Sequence, residues 1–166
     1  MLPSLGYTRL YTVIPNEGGL RALQYYFDKR EILEPPTDTL LRITELVLTL
    51  NTFEFNGEYY KQTGGVAMAS RLGSNYACLF VGHVEERMLS SYTGIKPDLY
   101  KRYMDDVAGA ASCSEEDLCQ LIEFASSFHP NLEYTWSVST DKFPFLDICM
   151  KPQANRIATS IHESHG

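Results

Sequence analysis

Two neighbouring carboxylates, Asp105 and Asp106, are the side chains of this sequence best suited to chemistry. They lie between two short apolar runs, Leu99 to Met104 and Val107 to Ala111, which read as strands. Asp105-Asp106 is then expected to form the tight turn of a β-hairpin, where Asp is favoured because its side chain bonds to nearby backbone. Two acids at one hairpin tip repel each other unless a cation sits between them. Hard oxygen donors in that arrangement suit Mg²⁺, and paired carboxylates are what a two-metal phosphoryl-transfer site requires. For Asp-Asp alone a solvated turn is the simpler explanation. The longer string Lys101-Arg102-Tyr103-Met104-Asp105-Asp106-Val107-Ala108 carries more information.

The rest of the chain must position those acids. Its 166 residues suffice for one domain with a proper core. A hydrophobic content of 44% and a charged content of 21% are ordinary for a globular protein. No apolar run approaches a membrane span, and no secretory signal is visible. Cys78, Cys113, Cys119 and Cys149 show no metal-site spacing and read as free thiols in a reducing compartment. The expected location is therefore intracellular, with the nucleus among the candidates. The net charge of −7 argues against strong nucleic-acid binding by this piece alone, because phosphates are held by basic surfaces.

Residues 1–15 read as an extended segment, with Leu10, Thr12 and Ile14 alternating against Tyr11 and Val13. Asn16 is placed to cap a helix carrying Leu20, Leu23 and Phe27. Thr37 is placed to cap a second, whose stripe Leu40, Ile43, Val47 and Leu50 reads as core. Phe53 to Phe55 and Glu58 to Gln62 flank Asn56-Gly57, a strong hairpin signal. Residues 66–89 read as one long helix, with Ala67, Ser70, Ser74 and Ala77 as a small-residue face. Ser114 opens another helix that faces Leu118, Leu121, Ile122, Ala125 and Phe128 inward. Strands are expected at 133–139, 145–150 and 157–161. The predicted class is α+β, an antiparallel sheet backed by helices.

With these motifs on the page, the sequence resembles the reverse transcriptases of Penelope-like retroelements. Tyr103-Met104-Asp105-Asp106 is similar to the catalytic hairpin of reverse transcriptases. About forty residues before it, Gln62-Thr63-Gly64-Gly65-Val66-Ala67-Met68-Ala69-Ser70 looks like the family's loop-to-helix element, although Ala69 stands where Gly is usual. Asn75 to Phe80 and Glu85 continue that likeness, although Gly73-Ser74 stands where Ala-Pro is usual. Leu10 to Pro15, Asn51 to Tyr60, Phe145-Leu146-Asp147 and Thr159 to Ile161 add further matches.

The resemblance implies a polymerase palm spanning residues 1–166 as one partial domain, with fingers, thumb and endonuclease outside it. It implies two Mg²⁺ ions held by Asp105 and Asp106 as the catalytic acids. Tyr11, Met68, Ala69 and Ser70 would meet the incoming nucleotide, with Tyr11 beneath its sugar, and Tyr103 would touch the primer end. The implied partners are an RNA template, a DNA primer and a deoxynucleoside triphosphate. One departure stands out. Counted back from Pro15, the family's first catalytic Asp falls on Gly6, which has no side chain to offer a metal. The expected outcome is an impaired or inactive fragment.

Two other classes compete: a palm remnant kept as a protein or nucleic-acid interaction module, and an unrelated α+β protein whose Asp-Asp is only a turn. Tyr11 reads equally as a core residue of a strand. Asp147 reads as a structural acid in an apolar strand, Trp136 as core, and His162 and His165 as unimportant terminal residues.

Overall fold

The computed structural model describes residues 1–68, 70–153 and 156–161. Among the described residues the elements follow one another as β1 (Leu2–Thr8), α1 (Leu10–Val13), α2 (Asn16–Phe27), α3 (Thr37–Thr49), β2 (Thr52–Phe55), β3 (Glu58–Lys61), α4 (Gly73–Ser91), β4 (Leu99–Tyr103), β5 (Asp106–Ala110), α5 (Glu115–Phe128), β6 (Glu133–Ser139), β7 (Phe143–Phe145), β8 (Ile148–Gln153) and β9 (Arg156–Ile161). This is an α+β protein with antiparallel pairings. Among the described residues no helix is long and apolar enough to cross a membrane.

The chain divides into two compact units. The first comprises Met1–Thr8, Ser91–Phe128 and Tyr134–Gly166, and the second Arg9–Ser90 and His129–Glu133. The first unit is built on a four-stranded sheet of order β4-β5-β1-β6. β1 pairs antiparallel with β5 and β4 with β5. Alternation in β1 buries Leu5 and Tyr7, while Val107 and Ala108 are buried on β5. Leu2, Ala108 and Met150 form one core cluster, with Phe143, Phe145 and Ile157 against it. Tyr92, Leu118 and Leu121 form another around α5. A reciprocal cap starts α5: the Asp117 N–H donates to Ser114 Oγ at 3.1 Å, and the Ser114 N–H donates to Asp117 Oδ2 at 3.1 Å. A separate three-stranded sheet, β7-β8-β9, completes the unit.

In the second unit α2 packs on α3, and α4 buries Tyr76, Ala77, Phe80, Val81, Val84 and Met88. The β2–β3 hairpin forms as expected. Asn56 and Gly57 take φ of 53° and 80°, the positive values that a right-twisted two-residue connection requires.

Several expectations fail for identifiable reasons. The extended reading of residues 1–15 stops at Thr8. Arg9 adopts φ 52°, and Leu10–Val13 coil into a single helical turn whose Thr12 hydroxyl donates to the Arg9 carbonyl at 2.9 Å. Asn16 and Thr37 are the first residues of their helices; the preceding positions are Pro15 and Pro36, without a side-chain cap. Proline's fixed φ starts these helices instead. The stripe on α3 is not core. Thr44 and Leu48 are buried, whereas Ile43 is 53% and Leu50 69% exposed. Helical periodicity marks apolar faces without saying which one is covered.

The long helix expected from Val66 begins only at Gly73, because the Ser70 N–H donates to the Ala67 carbonyl and the Gly73 N–H to the Ser70 carbonyl, each at 3.0 Å, closing turns before it. Ala67 and Ser70 therefore do not share a helix face with Ser74 and Ala77. The strand expected over Phe145 to Met150 is interrupted. Leu146, at φ 53°, and Asp147 make the turn between β7 and β8, so Asp147 is an exposed turn residue.

Gly19 of α2 supplies a sharp check on the packing. A Cβ there would fall on the ring of Tyr76, which is 1% exposed and whose hydroxyl donates to the Asn16 carbonyl at 3.3 Å. Burial pushes the Tyr76 phenol up to about 12. Gly→Ala in a helix interior ordinarily stabilises by about 1 kcal/mol. Here the overpacking penalty of ~1–3 kcal/mol should exceed that gain. Gly19→Ala is expected to lower the urea midpoint; a raised midpoint would show that α2 and α4 have room to separate.

Candidate functional site

The paired acids sit where β4 turns into β5, displaced by one residue from the expectation. Met104 and Asp105 form the turn, with Met104 at φ 54°, and Asp106 is already the first residue of β5. Arg102 donates from Nη1 to the Met104 carbonyl at 3.0 Å, which braces the turn. The Tyr7 N–H donates to the Asp105 carbonyl at 3.0 Å, extending the β1–β5 pairing up to the tip. Both acids are exposed.

Across the sheet, Asp106 is flanked by Tyr103 on β4 and Gly6 on β1. A Cβ added at Gly6 would lie 3.7 Å from Asp106 Oδ1 and 3.1 Å from Thr135 Oγ1. The Thr135 hydroxyl in turn donates to the Gly6 carbonyl at 3.3 Å. Position 6 thus faces the same spot as the Asp106 carboxylate. Thr135 was not singled out from the sequence, and nothing local marks it, because β6 reaches β1 only through the fold. Partial burial raises the Asp106 carboxyl above its ordinary 3.8, and the negative charge of Asp105 raises it further.

A divalent cation between Asp105 and Asp106 would relieve that repulsion. The residues present do not fit a two-ion arrangement, however. Among the described residues no group of three or more His, Cys, Asp or Glu is placed to hold a metal ion. Where a third carboxylate would stand, position 6 offers only backbone.

The other expected site residues belong to the second unit. Tyr11 lies on the α1 turn, half-buried, and its carbonyl accepts the Val66 N–H at 2.7 Å. The Gly65 N–H donates to the Ile14 carbonyl at 3.2 Å. Gly65 has φ 71°, and a Cβ there would lie 2.5 Å from the Tyr11 carbonyl oxygen. Only glycine allows this approach. The glycines expected to open a helix instead clasp the chain at Tyr11.

Met68 follows and is exposed, while Ser70 is half-buried. Ser70 Oγ donates to the Ala67 carbonyl at 2.8 Å and accepts the Gly73 N–H at 2.9 Å, so it ties the loop to the start of α4. Ser70 also lines a cavity of about 50 Å³ with Val47, Asn51 and Val66. The Tyr11 backbone is therefore brought against Gly65 and Val66. Ala69, His162 and His165 lie outside the described residues. Trp136 is half-buried on β6, its indole Nε1 buried without a hydrogen-bond partner, in a ring series with Tyr134 and Tyr7.

No protein-family model matches the chain, and no curated protein matches it. Solved structures do. Apo telomerase from Candida tropicalis truncated from the C-terminal domain superposes with a TM-score of 0.66 at 11% identity, covering 96% of this chain and 35% of that one. Apo telomerase from Candida tropicalis gives 0.67 at 12% identity, covering 90% and 30%. Telomerase from Candida albicans, in complex with a TWJ fragment of telomeric RNA, gives 0.65 at 10%, covering 90% and 29%. The chain spans about a third of the length of these structures. The fold is the reverse-transcriptase-like palm of polymerases.

The electrostatics of the acid pair generate a pH signature. A carboxyl raised in the folded state disfavours folding above that raised value, and the penalty disappears once pH falls below the ordinary 3.8. Asp106→Asn should therefore stabilise the chain near neutral pH, with the gain lost on acidification through the carboxylate range. Asp105→Asn should lower the NMR titration midpoint of Asp106 only in part, because its burial remains. A full return to the ordinary value would make the Asp105 charge the sole cause.

Proposed function

We propose that this chain is part of an RNA-directed DNA polymerase of the reverse-transcriptase type, of Penelope-like ancestry, and that it is impaired as it stands. In the reaction of that class, the primer 3′-oxygen forms a bond to the α-phosphorus of a deoxynucleoside triphosphate. The bond to the leaving pyrophosphate breaks, and the hydroxyl proton is lost. Asp105 and Asp106 are assigned to the catalytic acids and to Mg²⁺ binding, and Tyr103 to the primer end. Tyr11, Met68, Ala69 and Ser70 are assigned to the nucleotide. The telomerase from Candida albicans is in complex with an RNA, which supports RNA as a partner class here.

One observation carries the reading. Gly6, the position that sequence resemblance marks for a missing acid, is the residue paired with Asp106 across β1 and β5, and its missing side chain would point at Asp106 Oδ1. A register shift of one residue would turn position 6 to the other face of the sheet. The coincidence of a motif offset with a cross-strand neighbour supports a carboxylate cluster reduced from three members to two. Losing a shared carboxylate would weaken the hold on cations, whose positive charge would offset that of a transferring phosphate, and orders of magnitude in rate go with it.

The remnant alternative, a palm retained as an interaction module, is favoured by the net charge of −7 and by the exposed apolar surface of the second unit.

Primer extension on poly-rA with Mg²⁺ or Mn²⁺ should give no product above background. Gly6→Asp should tighten Mn²⁺ binding at least about tenfold, ~1.4 kcal/mol, as read by electron paramagnetic resonance. The gain should vanish in Gly6→Asp combined with Asp106→Asn. Extension by the unsubstituted chain that Asp105→Asn abolishes would overturn the impairment. A Gly6→Asp variant with unchanged Mn²⁺ affinity would overturn the metal assignment.

A further inference from the structure

The second unit carries an apolar surface that its own chain leaves open. Ile43, Leu46 and Val47 of α3 and Leu50 at its C-cap stand at helical spacing and are all exposed, on a different side from the buried Thr44 and Leu48. Leu50 and Asn51 alone separate this helix from the β2–β3 hairpin, all eight strand residues of which are exposed. Phe53 stacks on its cross-strand partner Tyr60, with ring centroids 5.7 Å apart and planes 22° off parallel. Phe55 lies on the same face of the ribbon, across from Glu58, and is 69% exposed. A two-stranded ribbon alone is marginal in water, and exposed apolar surface on this scale marks an interaction site.

Charge decides between occupants. Glu31, Glu34, Asp38, Glu54 and Glu58 are exposed along the same stretch, and none forms an ion pair among the described residues. Arg42 is already engaged with Glu45 at 2.6 Å, and on the hairpin the exposed Lys61 stands against two acids, Glu54 and Glu58. The aromatic rings would suit stacked bases, but phosphates would meet these acids. An anionic membrane and a second copy carrying −7 are repelled in the same way. We propose that the outer face of α3 and the β2–β3 hairpin dock a basic amphipathic segment of a partner protein, with apolar side chains against Ile43, Val47, Leu50 and Phe55 and Lys or Arg against the acidic rim. This inference is independent of the nucleotidyl-transfer reading, since none of these residues is assigned to metal or nucleotide.

The test uses the full chain and a synthetic amphipathic leucine–lysine helix, with a scrambled peptide of the same composition, a leucine–glutamate helix and oligo-rU as comparisons. The leucine–lysine helix should bind at least about tenfold more tightly than any of the three. Ile43→Ser with Leu50→Ser should weaken it about tenfold, and so should Glu54→Lys with Glu58→Lys, which tests the charge without touching the helix. Ile161→Ser, an exposed apolar residue of the first unit, should leave binding unchanged. Equal binding of the scrambled peptide overturns the proposal. So does an affinity that Glu54→Lys with Glu58→Lys does not change, oligo-rU binding at least as tightly, or a self-associated dimer that the same variants dissolve.

Discussion

The antiparallel pairing of β1 with β5 is the constraint on which the first unit rests. It joins residues about a hundred positions apart, and its register sets Gly6 against Asp106 and Leu5 against Val107. The apolar partners fix that register, because a slip of one residue would bring buried side chains to the opposite face. The polar positions are then placed as a consequence. The hairpin tip is further held by the Tyr7 N–H on the Asp105 carbonyl and by Arg102 on the Met104 carbonyl. Two acids that repel each other are thus kept adjacent by backbone geometry and core packing, and the Asp106 carboxyl is raised first by desolvation and then by the Asp105 charge.

The second unit solves a different problem. A loop must sit close to a short helical turn without side chains in the way. Gly65 does this through a positive φ and a bare Cα, and two backbone hydrogen bonds to the chain at Tyr11 and Ile14 complete the clasp. Ser70 then bridges the loop to α4 through its hydroxyl. The outer side of α3 has no such closure, and its apolar stripe faces solvent.

Legibility from sequence followed the range of the interactions. The Asn56-Gly57 hairpin and the Ser114–Asp117 cap depend on neighbours a few residues apart, and both were readable. β6 was readable because Tyr134, Trp136 and Val138 alternate with polar residues along it. The helical turn at Leu10–Val13 was not, since its residues are β-formers by type and the left-handed Arg9 that starts it has no sequence mark. Nor was the late start of α4, where turns around Ser70 override helix-forming residues. The α3 stripe shows the limit most clearly: periodicity located an apolar face correctly and could not tell that it lies uncovered. At the acid pair, the hairpin and the gap at Gly6 came from local motifs, although the turn lies one residue earlier than expected, whereas Thr135 became visible only once β6 lay beside β1.

The clasp at Gly65 has an uneven evolutionary consequence. Its bonds run to the carbonyls of Tyr11 and Ile14, never to the Tyr11 ring. The phenol is therefore free to change with whatever ligand the chain selects, leaving the loop where it is. Position 65 has no such latitude, because any β-carbon meets the neighbouring peptide oxygen. Across diverging copies of this fold, drift should collect at 11 and be purged at 65, although both residues touch the same peptide.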